Sequence, residues 1–175
     1  MNFMADDTNP VPNTVKPDNK GSAKQELTAE QIATMKAAIE SSIDDFMKSV
    51  GIKEPSNMTD PDGWRHFQKG SAEGFSGVTI ENNKLIFHAV AKVMNLPSDK
   101  ELILPLMREL LEINLSLRNE AKIGIKKDVI YIAMMKPVEY MTKSDVPRSI
   151  DYVMSLADDI DEKLIGKYGG TSKKR

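Results

Sequence analysis

Two pairs of alternating apolar segments constrain the fold of this chain more than any other feature. In the first pair, Val78 and Ile80 precede Asn82-Asn83, and Leu85 and Phe87 follow it. Because asparagine tolerates a positive φ, we predict a two-residue turn that sets Ile80 opposite Leu85. The first pair therefore predicts an antiparallel hairpin whose apolar side chains share one face.

The second pair predicts another hairpin with the same logic. Its turn is Lys127-Asp128, and the flanking apolar positions are Ala121, Ile123 and Ile125 before it and Ile130 and Ile132 after it. Residues 64–69 predict one further strand, and a glycine-rich corner follows at Gly70, Gly74 and Gly77. The corner spacing matches no phosphate-binding loop, so we interpret these glycines as structural.

Three helices surround the hairpins. Thr28 and Gln31 fit a capping box at the start of the first, and Ser98 and Glu101 fit a second box. Pro105 would interrupt a helix that began at Ser98, so either the first turn is separate or the helix starts near Leu104. We expect Ser144 to cap a last long helix that Gly169-Gly170 ends.

The resulting order, α-β-β-β-α-β-β-α, predicts an α+β fold with an antiparallel five-stranded sheet and helices on one side. Strands that come in hairpins argue against a doubly wound nucleotide-binding sheet. Residues 1–26 offer little to bury, which predicts a disordered tail. We expect one domain over residues 27–168 and a basic C-terminal tail at 169–175.

Composition excludes several classes of function. The chain has no cysteine, which removes disulfides and thiolate chemistry, and its 2 histidines are few for a zinc hydrolase. With 24 Lys+Arg against 26 Asp+Glu, it lacks the basic excess of a nucleic-acid binder. Neither a membrane span nor a secretory h-region stands out, so we expect a cytoplasmic protein without a membrane partner.

Two clusters invite a catalytic or metal-binding interpretation. Asp158 and Glu162 are four residues apart on the last helix, and His66 and His88 would flank a site if their strands were neighbours. No serine or carboxylate stands at a motif spacing beside either histidine. We therefore expect a solvated face around Asp158, Asp159, Asp161 and Glu162, partly buried sheet histidines, no enzyme activity and no metal or cofactor.

A partner surface is the more specific expectation. The outer face of the strand after Asn83 is half apolar, and the 11 methionines suit adaptable contacts. The residues that we expect to contact a partner are Ile86, His88, Val90, Met94, Met134 and Met135.

An ordered set of short motifs resembles the YbjN-like family, described as putative bacterial sensory transduction regulators. The motifs are Trp64, Gly70-Ser71-Ala72, Asn95-Leu96-Pro97, the run from Leu110 to Asn114, and the run from Asp158 to Leu164. That family resembles the class I type III secretion chaperones in fold. The resemblance implies an α+β domain over about residues 29–168, often a homodimer, without enzyme activity.

We therefore expect a non-enzymatic protein-binding domain with a chaperone-like or regulatory role, which buries apolar sheet and helix surface against a client segment. The alternative is a small-molecule-sensing regulatory domain with a pocket between the second helix and the sheet. A poorly polar sheet face, together with the resemblance, also predicts a homodimer.

Overall fold

Three α-helices and five β-strands follow one another in the predicted order along the residues that the computed structural model describes, 27–117 and 120–171. The helices are α1 (Ala29–Ser49), α2 (Ile103–Ser116) and α3 (Asp145–Tyr168), and the strands are β1 (Arg65–Lys69), β2 (Ala72–Glu81), β3 (Lys84–Asn95), β4 (Lys122–Lys126) and β5 (Val129–Pro137). The predicted tail at 1–26 and residues 172–175 lie outside the described residues.

The sheet is antiparallel throughout, with strand order β1-β2-β3-β5-β4. Both predicted hairpins are confirmed, because Ile80 pairs with Leu85 and Ile125 pairs with Ile130. The four turn residues all have positive φ: Asn82 at 49°, Asn83 at 60°, Lys127 at 49° and Asp128 at 63°. Such turns match the twist of the flanking strands, which fixes the register of each hairpin.

A bulge in β3 moves one predicted surface residue into the core. The pairing of β3 with β5 shifts between Lys92 and Met94, so Met94 lies opposite Ile130. A bulge adds one residue to a strand and reverses the face of every side chain beyond it. Met94 is consequently 0% exposed, and the prediction that it shares the outer face with His88 and Val90 is wrong.

Helix α1 packs on one face of the sheet through its predicted apolar stripe. Its capping box is present, since Thr28 and Gln31 each accept a hydrogen bond from the other's backbone N–H. The rings of Phe46 and Phe67 meet edge to face at 5.9 Å. Beside them the buried Arg65 pairs with Asp44 and Glu40 on α1, which compensates its charge.

Helix α3 lies on the same face and approaches β2 closely because Gly74 has no side chain. A Cβ at Gly74 would stand 2.2 Å from Met154 Sδ and 2.8 Å from Phe67 Cε2. Only Gly70 is a corner residue, with φ +59° in the β1–β2 turn, whereas Gly74 and Gly77 lie inside β2. The predicted glycine-rich corner is therefore shorter than expected. Gly74 leaves space for Met154, and Gly77 leaves space for Trp64.

Neither helix start is capped by the serine that the sequence predicts. Asp99, not Ser98, accepts the hydrogen bond from Glu101 N and begins a separate 3-10 turn before α2. Ser144 makes no side-chain cap, and Asp145, the first residue of α3, accepts a hydrogen bond from the backbone N–H of Thr142, which precedes the helix. A carboxylate near a helix N-terminus also interacts favourably with the helix dipole.

Helix α2 covers the β4 edge of the sheet. Asn114 accepts a hydrogen bond from Ile123 N at 2.7 Å and donates one to Ile123 O at 3.0 Å, as a neighbouring strand would. Near the middle of α2, Glu109 accepts hydrogen bonds from Lys167 and Tyr168 of α3. The side chain of Asn114 thus forms hydrogen bonds with the backbone N–H and C=O of Ile123, which an open edge strand would expose.

Candidate functional site

The face of the sheet opposite α1 and α3 carries an apolar surface. Strand pairing places one row of residues across all five strands there: His66, Phe75, Val90, Ala133 and Lys122. The middle of this row is apolar and both ends are polar. Phe75, Val90 and Ala133 are half-buried although no helix within residues 27–117 and 120–171 covers them.

Aromatic rings on this row and beside it enclose a groove. The ring of Phe75 lies 5.8 Å from Trp64, 6.0 Å from His66 and 6.1 Å from Tyr131. We call the concave surface formed by Trp64, Phe75, Val90, Tyr131, Ala133 and Met135 the aromatic groove; its volume is about 810 Å³. Rings with accessible faces and few rotatable bonds are typical of protein-binding surfaces.

Asp60 holds Trp64 in place at one side of the groove. Its carboxylate accepts hydrogen bonds from the backbone N–H groups of Trp64 and Asp62 and contacts His66 Nε2 at 3.2 Å. The hydrogen bond from Trp64 is the main reason that the pKa of Asp60 lies below its ordinary value, and His66 adds to it. The Trp64 ring rests on Gly77, where a Cβ would stand 3.0 Å from it.

His88 is buried beneath Trp64 on the same face. It is 8% exposed, its ring lies 5.3 Å from that of Trp64, and its Nε2 shares a hydrogen bond of 2.7 Å with Thr79 Oγ1. Burial lowers the pKa of His88, although the nearby charge of Glu81 opposes the shift. His88 therefore supports Trp64 as a neutral side chain near pH 7.

The rim of the groove is charged asymmetrically. Asp60 and Asp62 lie on the Trp64 side, whereas Lys126 and Lys127 lie at the β4–β5 turn. Within the described residues, neither lysine is in an ion pair. One end of the groove therefore presents free positive charge beside apolar surface.

The predicted partner-binding residues are divided between surface and core. Val90 and Met135 line the aromatic groove, and Met135 is 58% exposed. His88 supports the groove from below, and Ile86 is half-buried on the same face. Met134 is 3% exposed and belongs to the core, as does Met94. Adjacent strand residues point to opposite faces, so Met134 and Met135 could not share a surface.

Three groove residues are not among the predicted partner-binding residues, namely Trp64, Phe75 and Tyr131. Alternation could have indicated Phe75 and Tyr131. The core residues of β2 and β5 have even numbers, so the odd-numbered Phe75 and Tyr131 point to the opposite face of the sheet. The prediction rested on the outer face of β3 and on methionine content, although the outward-facing residues of all five strands form one surface. No pattern in the sequence indicates that Trp64 folds over Gly77.

A second apolar surface lies on α2. Leu104, Leu111 and Leu115 are 78%, 69% and 89% exposed, and the helical repeat places them on one face. We call them the leucine stripe. The opposite face of α2 is buried through Leu106 and Leu110, and the small-molecule pocket expected between this helix and the sheet stays a prediction.

The clusters considered for catalysis have structural partners. His66 and His88 lie on strands separated by β2, and each has its own polar partner, Asp60 for His66 and Thr79 for His88. Ser71 donates to Asp158 and Asp161 at the β1–β2 turn, and Asp161 is buried, contrary to the predicted solvated face. In the described part of the chain, no three His, Asp or Glu side chains are grouped to hold a metal ion.

Comparisons with known proteins identify the fold. The ExsC–ExsE complex contains a chain that matches with TM-score 0.57 and 12% identity over 74% of this chain and 95% of that chain. The HopA1–SchA chaperone–effector complex matches with TM-score 0.53 and 11% identity over 74% and 97%. The chain therefore has the fold of type III secretion chaperones, as the sequence predicted.

The other comparisons, with a further solved structure, with protein families and with curated sequences, add little to the description of the fold. YbjN from E. coli, a putative transcription regulator, aligns over 73% of this chain and 92% of that chain with 14% identity and TM-score 0.40. No protein-family model matches this chain. No curated protein matches it in sequence. Among the described residues, no helix has the length and apolar character needed to cross a membrane.

Proposed function

We propose that this protein is a cytoplasmic, non-enzymatic binding protein that holds an extended apolar segment of a client protein in the aromatic groove. The observation that carries the proposal is a row of half-buried apolar and aromatic side chains on a sheet face that none of the described helices covers. The shared fold supports it, because one of the similar structures is a chaperone–effector complex.

The physical basis is burial of aromatic and methionine side chains. Each square ångström of apolar surface removed from water contributes about 25 cal/mol, from which the ordering of the client segment must be subtracted. The rings of Trp64, Phe75 and Tyr131 are already held by neighbouring rings, which lowers the entropy lost on binding. Met135 can adjust to different side chains.

A substitution on the floor of the groove tests the proposal. Ala133→Glu places a carboxylate between Val90 and Lys122, where a bound client would bury it. Burying a carboxylate against apolar surface costs several kcal/mol, so we expect client affinity to fall at least about tenfold. The matched control is Ile80→Glu, an equally drastic change at an exposed position outside the groove.

The measurement is crosslinked capture from lysate followed by protein identification. The proposal predicts one protein that is recovered with the unmodified chain and with Ile80→Glu but is lost with Ala133→Glu. Circular dichroism establishes that both variants are folded. Recovery that is equal for the two variants would contradict the groove as the client site.

The volume of the groove also supports a second candidate, recognition of a small apolar ligand. About 810 Å³ lies within the range of small-molecule sites. A ligand that binds only the folded state raises the unfolding temperature, so screening apolar compounds by thermal shift tests it. A compound whose shift disappears in Ala133→Glu would favour this candidate over a protein client.

We also propose that the protein forms a homodimer through the leucine stripe. In an antiparallel α2 pair about a two-fold axis near residue 110, Leu104 of one copy meets Leu115 of the other. The same pairing brings Arg108 to Glu112, whose charges are opposite and whose side chains are exposed. The stripe is therefore complementary to itself in both shape and charge.

Light scattering at tens of micromolar tests the dimer. Leu111→Glu should produce a monomer, whereas Ile80→Glu should remain dimeric. Arg108→Glu should weaken the dimer, and Arg108→Glu combined with Glu112→Arg should restore it. A monomeric unmodified protein would contradict the proposal.

A further inference from the structure

A second cavity adjoins the aromatic groove on the same face of the sheet. Phe75 and Tyr131 line both spaces. The second cavity has a volume of about 390 Å³, and we call it the lysine cavity because its lining includes Met58, Glu73, Phe75, Lys92, Val129 and Tyr131. A client segment that lies in the groove therefore has a neighbouring space for one more side chain.

Lys92 is the central residue of the sheet row next to the groove. Strand pairing gives that row as Gln68, Glu73, Lys92, Tyr131 and Gly124. The bulge of β3 begins after Lys92, so the alternation of the strand still holds there and Lys92 faces outward with Val90. Although it is on the outer face, Lys92 is only 8% exposed.

The buried charge of Lys92 has no partner in the part of the chain that the structure describes. Within residues 27–117 and 120–171, its amine is in no ion pair and donates no hydrogen bond. Glu73 stands opposite Lys92 on β2, but it is exposed and does not pair with it. Because a buried charge without a partner is costly, the cavity favours an anionic group from outside.

The anionic group that fits the lysine cavity is a side-chain carboxylate. The carboxylate at a chain end is typically held by several backbone N–H groups. Here the backbone of Lys92 is paired with Glu73 on one side and Tyr131 on the other. A single amine beside aromatic rings instead matches a single carboxylate, and the limited access of water strengthens such a pair.

Strand geometry sets the spacing between this carboxylate and an apolar anchor. Val90 and Lys92 are two residues apart, which is about 7 Å along β3. An extended client segment has the same rise per residue, and its alternate side chains point the same way. A segment that places an apolar side chain over Val90 therefore brings the side chain two residues away to Lys92.

We propose that Lys92 selects client segments in which Asp or Glu stands two residues from an apolar residue that occupies the aromatic groove. This inference rests on the proposed function, because it names the chemistry of the segment that the groove holds. Apolar contacts alone discriminate weakly between segments, whereas a buried amine disfavours every segment that leaves it unpaired.

Selection from a synthetic library of random peptides with amidated C-termini tests the proposal on the full-length protein. The unmodified chain should enrich Asp or Glu two residues from an aromatic or aliphatic residue. Lys92→Met keeps an unbranched side chain without the charge, and it should enrich the apolar residue alone. The matched control is Lys84→Met, the same change at the exposed start of the same strand, which should retain the acidic preference.

A double-mutant cycle on one selected peptide measures the charge pair. Replacing the acidic residue of the peptide by its amide should weaken binding to the unmodified chain about tenfold and leave binding to Lys92→Met unchanged. Glu73→Gln removes the competing carboxylate and should bind the acidic peptide more tightly. Thermal unfolding establishes that Lys92→Met is folded, and we expect it to melt no lower than the unmodified protein because a buried unpaired charge is removed. An acidic preference that persists in Lys92→Met would overturn the inference.

The variant Ala133→Glu separates this inference from the proposed function. Peptides that bind the unmodified chain, fail to bind Ala133→Glu and show no acidic preference would keep the groove as the client site and overturn the role of Lys92. Acidic peptides that depend on Lys92 but not on Ala133 would keep the lysine cavity as an acidic-peptide site and overturn the groove. In a second library with free C-termini, an acidic preference replaced by a requirement for the chain end would overturn the assignment to a side chain.

Discussion

At the scale of single residues, the aromatic groove depends on side chains that never enter it. Asp60 is half-buried, and its carboxylate accepts a hydrogen bond from the backbone N–H of Trp64 and contacts the ring of His66. His88 is buried, and its ring meets that of Trp64 edge to face. These two residues fix where Trp64 lies, so changes to them should alter the groove without removing any of its lining.

Asp60→Ala should loosen Trp64 and leave the fold intact. The backbone N–H groups of Trp64 and Asp62 lose their common acceptor, so the loop no longer holds the ring over Gly77. We expect greater acrylamide quenching of Trp64 and weaker client capture, with an unchanged circular dichroism spectrum. Asp62→Ala, which removes a neighbouring carboxylate that accepts neither bond, is the control and should behave as the unmodified protein.

His88 should make the protein less stable in mild acid. Its pKa in the folded state is below the ordinary value of 6.5, so the unfolded state binds the proton first as the pH falls. Stability that is complete above about pH 6.5 is then lost until the pH reaches the folded-state pKa, at no more than about 1.4 kcal/mol per pH unit.

Urea unfolding at about pH 7.5 and about pH 5.5 measures this loss. His88→Gln keeps a polar side chain but cannot be protonated, so the difference between the two conditions should shrink. Exposed His66→Gln serves as the control. An unchanged difference in His88→Gln would show that another group causes the acid sensitivity.

At the scale of elements, α3 packs closely against the sheet at Gly74. The alternation of Val78 and Ile80 correctly predicted the hairpin that contains this strand. It could not predict that α3 crosses β2 at Gly74, because periodicity in one element carries no information about which residue of another element faces it. The β3 bulge was missed for a related reason, since it is defined only by pairing with β5.

Gly74→Ala should destabilise the protein by about 1–3 kcal/mol, the usual cost of overpacking a core. The new Cβ would overlap Met154 and Phe67, which cannot both move inside a packed core. Gly124→Ala is the matched control, because it lies in a strand where nothing stands within 4 Å of the added Cβ. Thermal unfolding of both variants makes the comparison, and equal melting temperatures would disprove the close packing.

At the scale of the whole molecule, α2 joins the domain to the proposed dimer. One face is buried through Leu106 and Leu110, and the other carries the leucine stripe. The contacts of Glu109 with Lys167 and Tyr168 fasten α2 to the end of α3. Loss of this link should therefore affect both stability and self-association.

Glu109 should contribute stability that disappears in acid. Hydrogen bonds from Lys167 and then Tyr168 hold its pKa below the ordinary value of 4.5. The folded state therefore retains the charged form longer, and the contribution is lost as the pH falls below about 4.5 through the folded-state pKa. Glu109→Gln should flatten the stability profile in this acid range and leave the mild-acid loss caused by His88 intact, as urea unfolding would show.

The chain by itself determined its secondary structure order, its two hairpins and the cap of α1, because turn residues, alternation and capping act between neighbours in sequence. The same alternation placed Val90 on the outer face of β3, where the structure has it. Tertiary structure alone decided that Met94 turns inward, that Trp64 lies over Gly77, and that Phe75 and Tyr131 meet across β3. These features arise from register and packing between distant segments, and their energies depend on which side chains the fold brings together.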